Sequence, residues 1–424
     1  MSESLFDALT WRGLISQSTD QAALKRHFET GPVTYYCGFD PSAPSLHIGN
    51  LVQILTLRRI QQAGHHPLAL VGGATGLIGD PKMTGERTLN DPDLVATWVE
   101  RIRQQIAPLL DFEGQYAARM VNNLDWTSQL SAIDFLRGVG KHFRLAPMLA
   151  RETVARRLAS EQGISFTEFS YQVLQGMDFL ELNRRHGCTL QTGGSDQWGN
   201  LLSGVELIHK ADAKTVHAFT TPLITRADGT KFGKTETGTV WLDPAMTTPY
   251  AFYQFWLRQA DADAPAYLKV FTFRSPEEIG ELTAATAERP QDRAAQKALA
   301  WDVTALVHGS DAARQAHDAA AALFGAASLD AVDAATLASA VAELPRAIMA
   351  PDEGELTVVE ALAASGVEKS KGAARRTLAS GGVYLNNVKV TDPDAVLRSA
   401  DFLHGRFALL RRGRKTLAVA ERAA

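Results

Sequence analysis

The 424-residue chain predicts an α/β fold: a parallel sheet covered by helices, followed by an α-helical region and a small basic α+β module. Three observations carry that prediction. Residues 33–240 alternate short β-like runs with amphipathic helical stretches, residues 244–350 are rich in Ala, Glu and Leu, and the tail reverses the sign of charge. At about 150 residues per domain, roughly three domains are expected. The expected boundaries are 1–243 for the sheet domain, 244–350 for the helical one, 351–355 for a linker and 356–424 for the last module.

The strands of the first domain are "VTYYCGF" (33–39), "HPLALVGGA" (66–74), "YAARMVNN" (116–123) and "CTLQTGG" (188–194). Between the first two lies the turn-rich loop "GFDPSAPSLHIGN" (38–50), which runs into "NLVQILTLRRIQQAG" (50–64) with apolar residues at helical spacing. Strand, loop and helix in this order point a helix N-terminus at an anion, and the candidate is phosphate. Gly49 would let such a group approach the backbone beside His47. Glycines also stand at other strand exits, Gly72, Gly73 and Gly76, then Gly193 and Gly194. Ligands of parallel sheets gather at the carboxyl ends of the strands, so these loops should meet at one crevice.

The segment "SYQVLQGMD" (170–178) places Tyr171, Gln175 and Asp178 at i, i+4 and i+7, on one face of a helix. Its neighbours Phe169, Val173, Leu174, Met177, Phe179 and Leu180 supply too much apolar surface for an exposed helix. A polar stripe inside a buried helix needs partners, and a bound polar substrate supplies them. Further along, "DGTKFGKTETG" (228–238) holds Lys231 and Lys234 in a glycine-punctuated loop able to bring two ammonium groups to a polyphosphate.

In the tail, "TVVEALAASG" and "SKGAARRTLASGG" read as two short helices closed by glycine. "VYLNNVKV" reads as two strands turning at Asn386-Asn387, residues that tolerate left-handed geometry. Residues 356–424 carry a net charge of +6 against −10 for the rest of the chain, whose total is −4. A basic module on an acidic body suggests nucleic acid, with Lys371, Arg375 and Arg376 and the run "RRGRK" (Arg411 and Arg412 first) as phosphate contacts.

Composition excludes other classes. Hydrophobic content of 45% and charged content of 21% are those of an ordinary globular protein. The two cysteines, Cys37 and Cys188, are too few for a disulfide framework and fit no zinc spacing, so a reducing compartment is expected. The N-terminus has no secretory pattern, and no run reaches the roughly 18 apolar residues of a membrane span, which makes the cytoplasm the default address and a membrane partner unexpected.

Taken together, "HIGN" (47–50) and "KFGKT" (231–235) resemble the two signatures of the class I aminoacyl-tRNA synthetases, a His-Ile-Gly-His-like tetrapeptide and a Lys-Met-Ser-Lys-Ser-like loop. Five ordered segments, "YYCGFDPSAPSLHIGN", "VGGATGLIGDP", "TEFSYQVLQGMDF", "QTGGSDQWGN" and "TKFGKT", are similar to the bacterial tyrosyl branch of that family. Asn50 stands where the fuller signature has a second histidine, and Gly233 with Thr235 replaces serines in the lysine loop.

The resemblance implies a Rossmann-like catalytic domain containing a dimerisation insertion, an anticodon-binding helical domain and an S4-like RNA-binding module. It implies tyrosine, ATP with Mg2+ and tRNA(Tyr) as partners, no zinc, and a homodimer. Tyr36 and Asp178 would hold the substrate phenol, and Tyr171, Gln175 and Asp80 its ammonium group, with Thr75 and Gln197 lining the site. On the ATP side, Asp40 and Ser42 would flank the phosphates, while Cys37, Gly38, Gly194 and Asp196 approach the ribose. His47, Gly49 and Asn50 would contact the nucleotide, and Lys231, Lys234 and Thr235 the departing pyrophosphate. Within the same class a tryptophanyl-type enzyme is an alternative, and outside it a catalytically silent RNA-binding protein.

Overall fold

The computed structural model describes residues 4–81, 85, 89–161, 163–227, 229–230, 232–235, 238–324, 328–349, 356–413 and 416–423. It divides into two compact units, Met1–Asp243 with Ala260–Gln291, and Pro244–Gln259 with Asp292–Ala424.

The first unit is built on five parallel strands, β1 (Thr34–Phe39), β2 (His66–Val71), β3 (Arg119–Asn122), β4 (Leu190–Gly194) and β5 (His217–Thr221). Their order is β5-β4-β1-β2-β3, with the two-residue strand Gln17–Ser18 antiparallel on the β5 edge. Tyr35, Tyr36, Cys37 and Phe39 of β1 and Leu68 to Val71 of β2 are buried, the continuous apolar run expected of strands covered on both faces. Sequence patterning misses β5, because His217, Thr220 and Thr221 are buried polar residues that break the apolar signal. Strand order reverses between β1 and β4, and a ligand crevice is expected beside their carboxyl ends.

Three helices flank that point. Helix α1 (Ile48–Gln62) follows β1, α2 (Phe166–His186) precedes β4 and α3 (Trp198–Asp212) follows it. Helix α2 starts at Ser165, whose side chain accepts the Glu168 backbone N–H, and stops at Gly187 in the left-handed region (φ 63°). Gly176 lets it approach α3: a Cβ there would lie 3.1 Å from Phe143 Cζ and 3.6 Å from the Gly204 nitrogen.

The expected domain boundaries differ from these units. Helices Ala264–Phe271 and Pro276–Glu288, expected in the helical domain, cluster with the first unit. The second unit contains a five-stranded sheet of β6 (Arg346–Met349), β7 (Val383–Leu385), β8 (Val388–Lys389), β9 (Phe407–Arg412) and β10 (Thr416–Arg422), ordered β8-β7-β9-β10-β6. Strand β6, expected as part of a helical stretch, pairs in parallel with β10. The expected linker, 351–355, lies outside the described residues. Alternation along β9 explains why the helical and basic parts form one body. Phe407 and Leu409 join the cluster of Ala319, Leu323, Leu337 and Val341 on one face, while Ala408 and Leu410 join Val358, Leu362, Leu378 and Val383 on the other.

The tail helices Val358–Ala364 and Lys371–Ala379 and the β7–β8 hairpin form where the sequence places them. Asn386 and Asn387 carry φ of 46° and 66°, the pair of positive values a two-residue hairpin turn demands. The basic run at 411–415 begins as the end of β9, and Gly413 (φ 60°) sits in the turn toward β10.

Candidate active site

Loops at the carboxyl ends of β1, β2 and β4, with the inner face of α2, enclose a cavity of about 1030 Å³. All of the sequence-derived substrate positions line it: Tyr36, Thr75, Asp80, Tyr171, Gln175, Asp178 and Gln197. So do Cys37, Gly38, Asp40, Ser42, His47, Gly49, Asn50, Gly194 and Asp196. Residues separated by up to about 160 positions therefore face one space. Lys231 lies outside the described residues.

At the inner end, Tyr36 and Asp178 are both buried. Asp178 Oδ2 accepts from Asn123 Nδ2 and its Oδ1 from Trp126 Nε1, each at 2.9 Å. Burial pushes its carboxyl up to about 7, against the lowering effect of those two donors. The Tyr36 hydroxyl has no hydrogen-bond partner, although the atom is out of contact with solvent. Burial, then the charge of Asp178, hold that phenol well above its ordinary range, so it stays a donor.

A second group of polar atoms surrounds Tyr171. Its hydroxyl donates to Asp40 Oδ2 at 2.6 Å, and Thr75 donates to Asp40 Oδ1 at 2.6 Å. With its own proton committed, the Tyr171 oxygen still offers lone pairs. Gln175 Oε1 is a buried acceptor with no partner. Asp80 takes Gln197 Nε2 on Oδ2 at 3.0 Å and Asn200 Nδ2 on Oδ1 at 3.3 Å.

At the outer end, His47 caps α1. Its Nδ1 accepts the Gly49 N–H at 3.0 Å, while Asn50 Oδ1 accepts the His47 N–H at 3.0 Å. Asn50 thus has a physical role in closing the cap at the start of α1. Gly49 is required by closeness, since a Cβ there would lie 2.8 Å from the His47 ring. The lysine loop comes back to this point. Ile48 N–H donates to Val240 O at 3.2 Å, Leu242 N–H to Leu46 O at 2.8 Å, and His47 bridges Trp241. Gly233 takes φ 82° with its Cβ position 3.8 Å from Ile48, a backbone state that favours glycine over serine. Lys234–Thr235 pairs with Gly238–Thr239 as a short antiparallel ladder, and Phe232 anchors the loop on Tyr267 at 4.5 Å between ring centres.

Sequence reasoning missed several lining or supporting residues. Gln191 on β4 is the register partner of Tyr36, and its Oε1 is another buried acceptor without a partner. Asn123 and Trp126, in "VNNLDW", hold Asp178 from the start of the short helix Leu124–Thr127, which carries no recognisable spacing toward it. Cys37 is buried, and desolvation pushes its thiol up to about 12, so it faces the cavity as a neutral group.

In the second unit, Lys371, Arg375 and Arg376 lie on the exposed side of helix Lys371–Ala379. Lys371 pairs with Glu360 at 2.8 Å, Arg375 with Asp394 at 3.5 Å and Arg412 with Glu368 at 3.4 Å, while Arg411 stacks on the Tyr384 ring at 4.0 Å.

Over residues 29–325 the chain matches the family described as tRNA synthetases class I (W and Y), and over 336–420 the Tyrosine–tRNA ligase SYY-like C-terminal domain. It is 63% identical over 418 residues to a tyrosine–tRNA ligase of Streptomyces avermitilis, covering 98% of each chain. Its identity to a tyrosine–tRNA ligase of Mycobacterium bovis is 55% over 424 residues, covering 100% of each. Among solved structures, a C-terminally truncated mitochondrial tyrosyl-tRNA synthetase of Coccidioides posadasii aligns with a TM-score of 0.66 at 35% identity, over 74% of this chain and 91% of that one. With the cavity, its two signatures and a full-length match all pointing the same way, the chain belongs to the tyrosine–tRNA ligase family of the class I tRNA synthetases.

Proposed function

We propose that this enzyme activates L-tyrosine with ATP to tyrosyl-adenylate and then transfers the tyrosyl group to the 3′ end of tRNA(Tyr). One observation carries the choice of amino acid: the polar atoms of the cavity wall, with Tyr36 Oη and Gln175 Oε1 buried and without partners among them, match those of tyrosine. The phenol has one donor and one acceptor site to satisfy. Tyr36 supplies an unpaired O–H for its oxygen, and Asp178 accepts its proton. The ammonium has three N–H donors and no acceptor. Tyr171 Oη, Gln175 Oε1 and Asp80 provide three acceptors on the same cavity wall.

ATP occupies the outer half, over the turn after β1 and the start of α1. A tyrosine carboxylate oxygen attacks the α-phosphorus, a new O–P bond forms, and the bond to the β-phosphate oxygen breaks as pyrophosphate leaves. The terminal ribose hydroxyl of the tRNA then attacks the carbonyl carbon, losing its proton, and AMP departs. A carboxylate is already a competent nucleophile, so positioning and charge stabilisation do the work. His47, Asn50, Thr235 and the two loop lysines, Lys231 and Lys234, serve the phosphates in this reading. In this reading Mg2+ accompanies the polyphosphate as part of the substrate.

Three further assignments belong to the same proposal. The second unit binds tRNA, its helices reading the anticodon arm and its S4-like basic module holding phosphate. Exposed large apolar side chains concentrate between Ile133 and Phe166, with Leu136, Leu145 and Phe166 among them, and a second copy of the chain would cover them. No helix among the described residues is long and apolar enough to cross a membrane, and the cytoplasm is the address proposed. Exchange of labelled pyrophosphate into ATP tests the activity: it should depend on tyrosine, and equal exchange with phenylalanine or tryptophan would reject the substrate assignment.

A further inference from the structure

Behind Asp80 a chain of hydrogen bonds leads out of the cavity wall to a residue that does not line it. Arg151 Nη1 donates to Asn200 Oδ1 at 2.5 Å and Nη2 to Ser203 Oγ at 3.0 Å. Asn200 Nδ2 donates to Gln197 Oε1 at 2.9 Å and to Asp80 Oδ1 at 3.3 Å. Gln197 Nε2 then donates to Asp80 Oδ2 at 3.0 Å. Every bond in the chain points the same way.

That polarity follows from donor chemistry. A guanidinium has donors only, so the Asn200 amide must meet it through oxygen, which turns its NH2 toward Gln197 and Asp80. Gln197 must in turn meet Asn200 through oxygen, which turns its own NH2 toward Asp80. The Asp80 carboxylate, an acceptor only, selects the same amide orientation from its own end, and the guanidinium, a donor only, fixes it from the other by occupying the Asn200 oxygen. We infer that Arg151 is a positioning residue that anchors both amides in this orientation and thereby holds Asp80 toward the substrate ammonium. The inference rests on the reading of Asp80 as an ammonium acceptor.

A second, independent feature secures the guanidinium. A Cβ on Gly199, at the start of α3, would lie 2.9 Å from Arg151 Nη2 and 3.0 Å from its Cζ, so the planar group lies against bare backbone. Burial presses Arg151 down to about 10, with the charge of Asp80 acting the other way.

The test compares R151M, R151K, G199A and D80N with the parent enzyme. Affinities for tyrosine and for 3-(4-hydroxyphenyl)propanoate, which lacks the ammonium, are measured by calorimetry, and KM for ATP by pyrophosphate exchange. R151M should weaken tyrosine about tenfold, the scale of a charge-supported hydrogen-bond arrangement. Affinity for the propanoate and KM for ATP should stay at parent values, and R151K should recover most of the loss. G199A, which adds a good helix former and a methyl where the guanidinium lies, should reproduce R151M in a folded protein. Equal weakening of tyrosine and the propanoate, or unchanged tyrosine affinity in both R151M and G199A while D80N weakens it, would overturn the orientation relay. Unchanged tyrosine affinity in D80N would instead overturn the ammonium reading beneath it.

Discussion

Replacing Tyr36 by phenylalanine separates recognition from stability. The hydroxyl is buried and unpaired in the free protein, and leaving such a group unsatisfied costs about 1–3 kcal/mol. Phenylalanine keeps the ring contact with Phe179, whose centre lies 5.3 Å away, and removes the orphan. Tyr36→Phe is therefore expected to unfold at the same denaturant concentration as the parent or a higher one. Tyrosine binding is expected to fall by about 1 kcal/mol, roughly fivefold, because one neutral hydrogen bond is no longer gained. Discrimination against phenylalanine should shrink by the same factor, since the hydroxyl is equally unpaired in the free enzyme and beneath a bound phenylalanine. Equilibrium unfolding and calorimetric titration with both amino acids measure all three quantities. A variant that loses stability while binding tyrosine as before would refute the reasoning, because the hydroxyl would then have a structural partner rather than a ligand.

Other expectations follow from the same site. Asp178 must be ionised to accept the phenol proton, and its carboxyl stands at about 7, so the tyrosine dissociation constant should rise as pH falls below neutrality; a flat profile between pH 8 and about 6 would contradict this. The same shift, upward from 3.8, means the native state binds this proton more tightly, so Asp178's contribution to stability is fully present below its unfolded value of 3.8 and is lost as pH rises through about 7. Lys234→Ala should slow adenylate formation, measured by single-turnover kinetics, with tyrosine affinity almost unchanged, and a large loss of tyrosine binding would remove that lysine from the phosphate end. Removing residues 356–424 should spare pyrophosphate exchange and abolish efficient transfer to tRNA. It should also loosen helices Ser310–Leu323 and Ala334–Val341, because Phe407, Leu409, Leu417 and Val419 complete their core; hydrogen exchange in those helices reads this out.

The fold was legible wherever periodicity and glycine punctuation acted together. "VTYYCGF" and "HPLALV" are apolar runs that end in glycine or aspartate, and both became central strands. Strands β9 and β10 escaped because their two faces bury apolar residues in different cores, so "FALL" shows no alternation to read. Domain boundaries were the weakest inference: β6 is bound to β10 by backbone hydrogen bonds across more than sixty residues, a pairing no local signal announces. Within the site, residues on helices or at glycine turns were accessible to spacing arguments, as with Tyr171, Gln175 and Asp178. Asn123, Trp126, Gln191 and Arg151 were not, because each acts across the sheet or between helices at positions that local sequence does not connect.

A crystal structure of the enzyme with L-tyrosine alone addresses the central claim most directly. The phenol oxygen should lie within about 3 Å of both Tyr36 Oη and an Asp178 carboxylate oxygen, and the ammonium within the same distance of Tyr171 Oη, Gln175 Oε1 and Asp80. Tyrosine bound with its phenol away from Tyr36, leaving that hydroxyl still unpaired, would contradict the account.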